Sequence, residues 1–264
     1  MTEELKAKAK RLGLYAIVAR WSEYCNQPWL PALLQEEEDE RARRSMARRI
    51  KEARLGQFKP MSEFDWKWPK KIDRELVDEL FSLQFLIGAS NIVLVGPNGN
   101  GKSMIAQNLG FQALMAGHSV RFTKASELLD ELSAADGAFA RRRCLKKYSV
   151  VDLLIVDEVG YLSYDNRYAD LLYEVITARY QNRSTIVTTN RPFQEWGAVF
   201  PNAACVVTLV DRLVHKAEIV AIDGASYRQK EALERAAEKE KKRKAKKATK
   251  AGTDANVKEV AKDD

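Results

Sequence analysis

Gly96-Pro97-Asn98-Gly99-Asn100-Gly101-Lys102-Ser103 has the spacing G-x-x-x-x-G-K-[ST]. Phosphate binding is the chemistry such an octet performs. Its glycines let consecutive backbone N–H groups turn inward around a triphosphate, its lysine reaches the β and γ oxygens, and its hydroxyl can ligate Mg²⁺. The apolar run Ile92–Val95 precedes the octet and the helix-like Met104-Ile105-Ala106 follows it, the strand–loop–helix setting that separates a phosphate cradle from a fortuitous glycine-rich turn. Gly96 through Met104 are therefore the expected nucleotide-binding residues. Lys102 is the expected charge-neutralising group and Ser103 a metal ligand.

Two further segments end in residues suited to the same chemistry. Leu153-Leu154-Ile155-Val156-Asp157-Glu158 reads as a buried strand that delivers two carboxylates. Asp157 is suited to hold Mg²⁺ through its water shell, and Glu158 to orient, or take a proton from, a water attacking the γ-phosphate. Such a glutamate is superfluous to a kinase of small metabolites; a hydrolase needs it. Ser184-Thr185-Ile186-Val187-Thr188-Thr189-Asn190 is a strand closed by an amide able to hydrogen-bond the γ-phosphate or the attacking water.

These ends must be brought to one edge, and the patterning says how. From Asn91 to about Asp223, short β-branched runs alternate with helical ones. Strands are predicted at Ile92–Val95, Val120–Thr123, Val151–Asp157, Thr185–Thr189 and Glu218–Ile222. Helices are predicted at Lys102–Met115, Ser126–Leu132, Gly137–Lys147, Tyr168–Tyr180 and Ala204–His215. Alternation of this kind means an α/β fold with a parallel sheet between two helical layers and ligands beyond the carboxyl ends of its strands. Upstream, Leu5, Leu12, Tyr15, Val18 and Trp21 are spaced to share a helical face. A second helix is expected from Ala32 to Leu55, braced by Glu37–Arg41, Asp39–Arg43 and Glu40–Arg44. Trp66, Trp68 and Pro69 suggest a linker packed on the core. The expected organisation is an N-terminal helical domain over 1–60, a linker and leading helix over 61–89, the nucleotide-binding core over 90–228 and a charged tail over 229–264.

Composition excludes several classes. Cys25, Cys144 and Cys205 lack C-x-x-C spacing, and His118 and His215 are the only histidines, so neither a disulfide framework nor a zinc site is expected. The longest apolar runs are strand-length and the amino end has no apolar signal segment, which excludes a membrane span and makes the cytoplasm the expected location. The net charge of +7 is mostly a tail property: residues 229–250 carry +6 and residues 251–264 carry −2. Such a tail can neutralise phosphates, and it can equally be a solvated end.

Beyond the octet, the chain resembles the AAA+ ATPases of the IstB type, helpers of insertion-sequence transposition and relatives of the DnaC helicase loaders. The resemblance covers most of residues 1–228. It is carried by Asp157-Glu158-Val159-Gly160-Tyr161-Leu162, Thr188-Thr189-Asn190-Arg191-Pro192-Phe193 with Glu195-Trp196-Gly197, Asp211-Arg212-Leu213-Val214-His215 and Gly224-Ala225-Ser226-Tyr227-Arg228. It implies a P-loop AAA+ fold, ATP and Mg²⁺ as ligands, DNA-stimulated ATP hydrolysis, homo-oligomeric assembly on duplex DNA as a spiral or ring, and partnership with a transposase. It implies sensor 1 for Asn190 and an arginine finger for Arg212. Physical argument supports the finger independently: Lys102 and Mg²⁺ leave transition-state charge uncovered, and an arginine from a neighbour contributes about 10³–10⁵ in rate. Only 41 residues follow Asp223, too polar for the helical lid many AAA+ proteins carry, which leaves Arg228 as a distant lid-type candidate. The loop departs from the family pattern at Asn98 and Asn100, both compatible with the backbone cradle, and the Lys-rich tail has no counterpart there.

For DNA, Arg141-Arg142-Arg143 with Lys146 and Lys147 are the candidate phosphate contacts, in a helical insert that related ATPases turn toward a central channel; Arg121 and Lys124 could extend that surface. No base-reading motif accompanies them. The leading expectation is an assembly ATPase on duplex DNA. The alternatives are a DnaC-like helicase loader, which should display aromatic stacking groups beside its basic ones and is mildly opposed by the want of an aromatic beside the triple arginine, and a non-hydrolysing scaffold, which the Asp157-Glu158 pair opposes.

Overall fold

The computed structural model describes residues 2–161, 166–200, 204–239 and 242. Four helices, α1 (Thr2–Arg11), α2 (Tyr15–Ala19), α3 (Trp21–Tyr24) and α4 (Leu30–Ala53), open the chain, and α5 (Arg74–Leu80) and α6 (Gln84–Ile87) lead into β1 (Asn91–Val95). Strands and helices then alternate: α7 (Lys102–Met115), β2 (Val120–Lys124), α8 (Ala125–Ser133), α9 (Gly137–Ser149), β3 (Leu153–Val159), α10 (Asn166–Arg179), β4 (Ser184–Thr189), α11 (Trp196–Val199), α12 (Val206–Val214) and β5 (Ala217–Ala221). Residues 227–239 form a last helix. Each predicted strand is present within two residues of its expected ends.

The five strands form one parallel sheet in the order β2-β3-β4-β1-β5. Both faces are covered. Leu153 and Ile155 point into a core with Ile105 and Leu109 of α7, whereas Leu154 and Val156 point into a second core with Leu128, Leu172 and Leu209 of α8, α10 and α12. That period-two division is why β3 reads as an uninterrupted apolar run: both of its faces are dry.

The amino-terminal helices keep a small core of their own around Ala9, Leu12, Leu30 and Leu34. The single helical face predicted through Trp21 is broken. Gly13 adopts φ +65, Leu14 N–H donates to the Ala9 carbonyl (3.0 Å) and Gly13 N–H to that of Lys10 (2.9 Å), a left-handed cap that ends α1 and leaves Tyr15 exposed. In α4 the Glu37–Arg41 and Glu40–Arg44 pairs form, but Arg43 turns to Glu40 and Asp39 accepts from Gln35 instead. Among the described residues no helix is long and apolar enough to cross a membrane, and no cluster of His, Cys, Asp and Glu could hold a metal. Leu162 and most of the predicted Lys-rich tail lie outside the described residues.

Candidate active site

At the carboxyl edge of the sheet, β1 runs straight into the glycine-rich loop and the loop into α7. The Val95–Thr189 and Val95–Ala221 register sets β4 and β5 on either side of that exit. Backbone crowding there demands glycine: a Cβ on Gly96 would lie 2.0 Å from the Ile222 carbonyl oxygen. Gly101, at φ +90, caps α7 from a conformation that costs other residues about 1–2 kcal/mol, and a Cβ there would strike the Phe64 ring at 2.5 Å. The first N–H groups of α7, those of Lys102, Ser103 and Met104, have no intrahelical acceptor and face this loop, which is the geometry that binds phosphate.

Lys102 is only 6 % exposed, and its ammonium donates to the carbonyls of Gly96 (2.6 Å) and Pro97 (2.7 Å). Burial pushes its pKa down to about 8; Asp157 opposes that shift and Arg228 adds to it. The lysine is charged at neutral pH and loses that charge more readily than a surface lysine. Ser103 Oγ donates to Asp157 Oδ1 and Oδ2 at 2.8 and 3.0 Å, so the two predicted metal ligands already stand side by side. A hydroxyl and a carboxylate are the hard-oxygen donors Mg²⁺ takes, and the residues fit that ion.

β3 is irregular just where these acids sit. Its register against β4 shifts between Val156 and Val159, and Glu158 takes φ +63. Left-handed backbone at a non-glycine residue is strained by about 1–3 kcal/mol and gathers at functional positions. Thr188 holds the bulge: its hydroxyl accepts from the Glu158 N–H (2.9 Å) and donates to Asp157 Oδ1. Glu158 Oε2 lies 2.9 Å from Lys124 Nζ, at the neighbouring strand end.

Asn190 follows β4 directly, beside Gly96, whose N–H donates to the Thr189 carbonyl (3.1 Å). The Asn190 amide oxygen is buried with no hydrogen-bond partner among the described residues, an acceptor that a bound water would satisfy by donating to it.

Arg212 is elsewhere. The side chain of Asn91, the first residue of β1, donates to the Leu213 carbonyl (3.1 Å), so the end of α12 packs at the amino edge of the sheet, a strand's length of about 16 Å from the loop. The Arg212 guanidinium lies 4.8 Å from the Tyr173 ring and 5.6 Å from that of Tyr180, and it bonds to the Thr177 hydroxyl. It cannot serve its own loop.

The cavity over the loop has walls the sequence did not reveal. Phe64 and Trp68 of the segment before α5 line it together with Tyr227, Arg228 and Glu231 of the last helix. The Gly224–Arg228 cluster is tied down at several points: Asn100 Nδ2 donates to the Gly224 carbonyl (3.0 Å), Tyr227 N–H to that of Gly99 (3.0 Å), and Trp68 Nε1 to that of Ala225 (2.8 Å). Lys230 joins the two walls, 3.1 Å from Asp65 and 4.5 Å from the Trp68 ring. Polarity therefore did not prevent helix 227–239 from covering the mouth, because ion pairs and aromatic contacts hold it in place of an apolar face. Two aromatic rings opposite a phosphate cradle can take a base; Arg228 brings a second cation to the cradle.

The basic candidates divide. Arg141 pairs with Glu174 (3.8 Å), and Lys147 pairs with Glu131 and lies 5.1 Å from the Tyr148 ring, whereas Arg142, Arg143 and Lys146 make no ion pair among the described residues. Arg121 and Lys124 do not join them: Arg121 is buried, donating to the Glu52 carbonyl (3.3 Å), and Lys124 is engaged by Glu158. Against the expectation of a basic helix without an aromatic neighbour, Phe139 on the same helix is 83 % exposed.

Comparisons with known proteins agree with this architecture. A relative named for ATP binding in insertion sequence IS21 of Pseudomonas aeruginosa is 37% identical over 198 residues, covering 75% of each chain. One from insertion sequence IS5376 of Geobacillus stearothermophilus is 32% identical over 240 residues, covering 88% of this chain and 96% of its own. The crystal structure of DnaI matches at 18% identity with a TM-score of 0.50, over 63% of this chain and 89% of that one, a likeness of fold. The model of the family described as IstB-like ATP binding protein matches residues 5–235, and with that span and those relatives the chain belongs to the IstB-like ATP-binding family of insertion sequences.

Proposed function

We propose that this protein is an ATPase that assembles on duplex DNA, hydrolyses ATP in pockets shared between neighbouring subunits, and presents the DNA to a transposase. The single observation that carries this reading is the separation of Arg212 from its own phosphate loop, at opposite edges of one sheet. A finger so placed can complete only another subunit's site.

In the proposed site the α7 N–H groups and Lys102 bind the β and γ phosphates, and Phe64 and Trp68 flank the base. Ser103 and Asp157 would hold Mg²⁺, which when bound would neutralise charge on the phosphate oxygens. Glu158, released from Lys124, orients water and accepts its proton; Asn190 positions that water against the γ-phosphate; Arg212 of the adjacent subunit covers the charge that develops in the transition state. The names of the relatives, drawn from insertion sequences, support a transposase as the partner. Arg142, Arg143 and Lys146 supply phosphate contacts without base readout.

Imaging of the purified protein with duplex DNA and a non-hydrolysable ATP analogue tests the proposal. An ordered multi-subunit array around DNA is expected, and a lone monomer on or off DNA removes it. The exposed Phe139 supports a second reading, a helicase loader that favours single strands. Equal or tighter binding to single-stranded than to duplex DNA at matched salt would favour the loader.

A further inference from the structure

Helix α9 runs GAFARRRCLKKYS, five cations and no acid. Residues three, four and seven positions apart share a helix face, which sets Phe139, Arg142, Arg143 and Lys146 on one side. All four are exposed, Phe139 at 83 %, and the three cations have no ion-pair partner among the described residues. The other two cations and Tyr148 anchor the opposite side of the helix to α8 and α10. An exposed phenylalanine on a surface helix loses apolar stabilisation in water, and beside three unpaired cations it faces a polyanion if it faces anything.

We propose that Phe139 is an apolar wedge that enters between two base pairs of the duplex while Arg142, Arg143 and Lys146 hold the adjacent phosphates. This rests on the duplex-binding reading above and gives that surface a second activity, local unstacking of the bound DNA. A duplex step is the better occupant than a single strand, because non-specific single-strand binding stacks successive bases on successive rings, and on α9 Phe139 is the only exposed one. Wedges of this kind need bulk and apolarity, and Leu serves as well as Phe; stacking needs a ring.

The test uses the full chain with a non-hydrolysable ATP analogue and a duplex carrying thymines throughout, and it reads permanganate reactivity, which rises where thymine is unstacked. The parent protein is expected to raise reactivity at steps within the bound duplex. Phe139→Ser should lose that rise with its salt slope intact, and Phe139→Leu should keep it. Replacing Arg142, Arg143 and Lys146 together with Ala should flatten the slope of log affinity against log salt by up to about 2.7, about 0.9 for each phosphate released. Binding without any rise in reactivity, or a rise that survives Phe139→Ser, overturns the wedge and spares duplex binding. An unchanged salt slope in the triple variant overturns the assigned face. If Phe139→Leu fails like Phe139→Ser and both weaken single-strand binding about 5- to 150-fold, the ring stacks on single strands and the wedge is wrong. No duplex binding by the parent protein sinks the function proposal itself.

Discussion

Thr188 fixes the two acids by a single hydroxyl that accepts from one residue and donates to the next. Removing it leaves the Glu158 N–H without its acceptor and takes one of two donors from Asp157 Oδ1, and an unpaired buried donor costs about 1–3 kcal/mol. Thr188→Val keeps the shape and loses both bonds. Its turnover should fall about tenfold, the kinetic equivalent of about 1.4 kcal/mol, with ATP affinity nearly unchanged, and Thr188→Ser should restore it. Phosphate-release assays beside equilibrium nucleotide binding check this; equal turnover in the Val variant would mean the bulge holds itself. At the same scale, Glu158→Gln should bind ATP and lose about 10²–10⁴ in turnover. A silent Gln variant would favour the scaffold over the hydrolase.

At the scale of elements, the basic helix and the amino end of β3 are both held by Arg179. It is 1 % exposed, and its guanidinium donates to the carbonyls of Tyr148 (2.7 Å), Val151 (2.9 Å) and Ser184 (2.5 Å) and to the Thr185 hydroxyl (3.0 Å). One side chain thus terminates α9 and stitches the amino ends of β3 and β4 together. Burial pushes its pKa down to about 9 and the nearby Arg183 adds to that shift; Asp152 opposes it, and six hydrogen bonds to neutral acceptors compensate the cation directly. Arg179→Met should destabilise the protein by about 3–5 kcal/mol, since several buried carbonyls lose their donor at once. Urea unfolding measures it, and a loss under about 1 kcal/mol would show that water replaces the guanidinium.

For the whole molecule, the proposed function makes the sheet the reason hydrolysis is shared between subunits. Its carboxyl edge carries Lys102, Ser103, Asp157 and Glu158, and its amino edge carries Arg212, braced by Tyr173 and Tyr180. Arg212→Glu and Lys102→Ala should each abolish turnover alone. Mixed on DNA, they should regain it, because an intact loop from the first variant then meets an intact finger from the second. Failure of the mixture to exceed the separate proteins would sink the shared pocket.

Read alone, the sequence determined the parallel α/β sheet and that the glycine-rich loop, Asp157-Glu158 and Asn190 fall at the carboxyl ends of its strands. Each of these is a local pattern: a strand, a turn and a helix start written in consecutive residues, with both strand faces apolar because both are covered. It misplaced the end of α1, where the left-handed Gly13 outweighed the periodicity of Leu5 to Trp21. Phe139 stands at helical spacing to Arg142 and Arg143, and only its exposure shows that it shares their surface. Only the tertiary structure decided that Thr188 and Lys124 engage the acids, that Phe64, Trp68 and Arg228 wall the same cavity, and that three of five basic side chains are free to meet phosphate. Those contacts join residues tens of positions apart on separate strands and helices, and no local periodicity encodes which side chain a folded chain will bring within hydrogen-bonding distance of another.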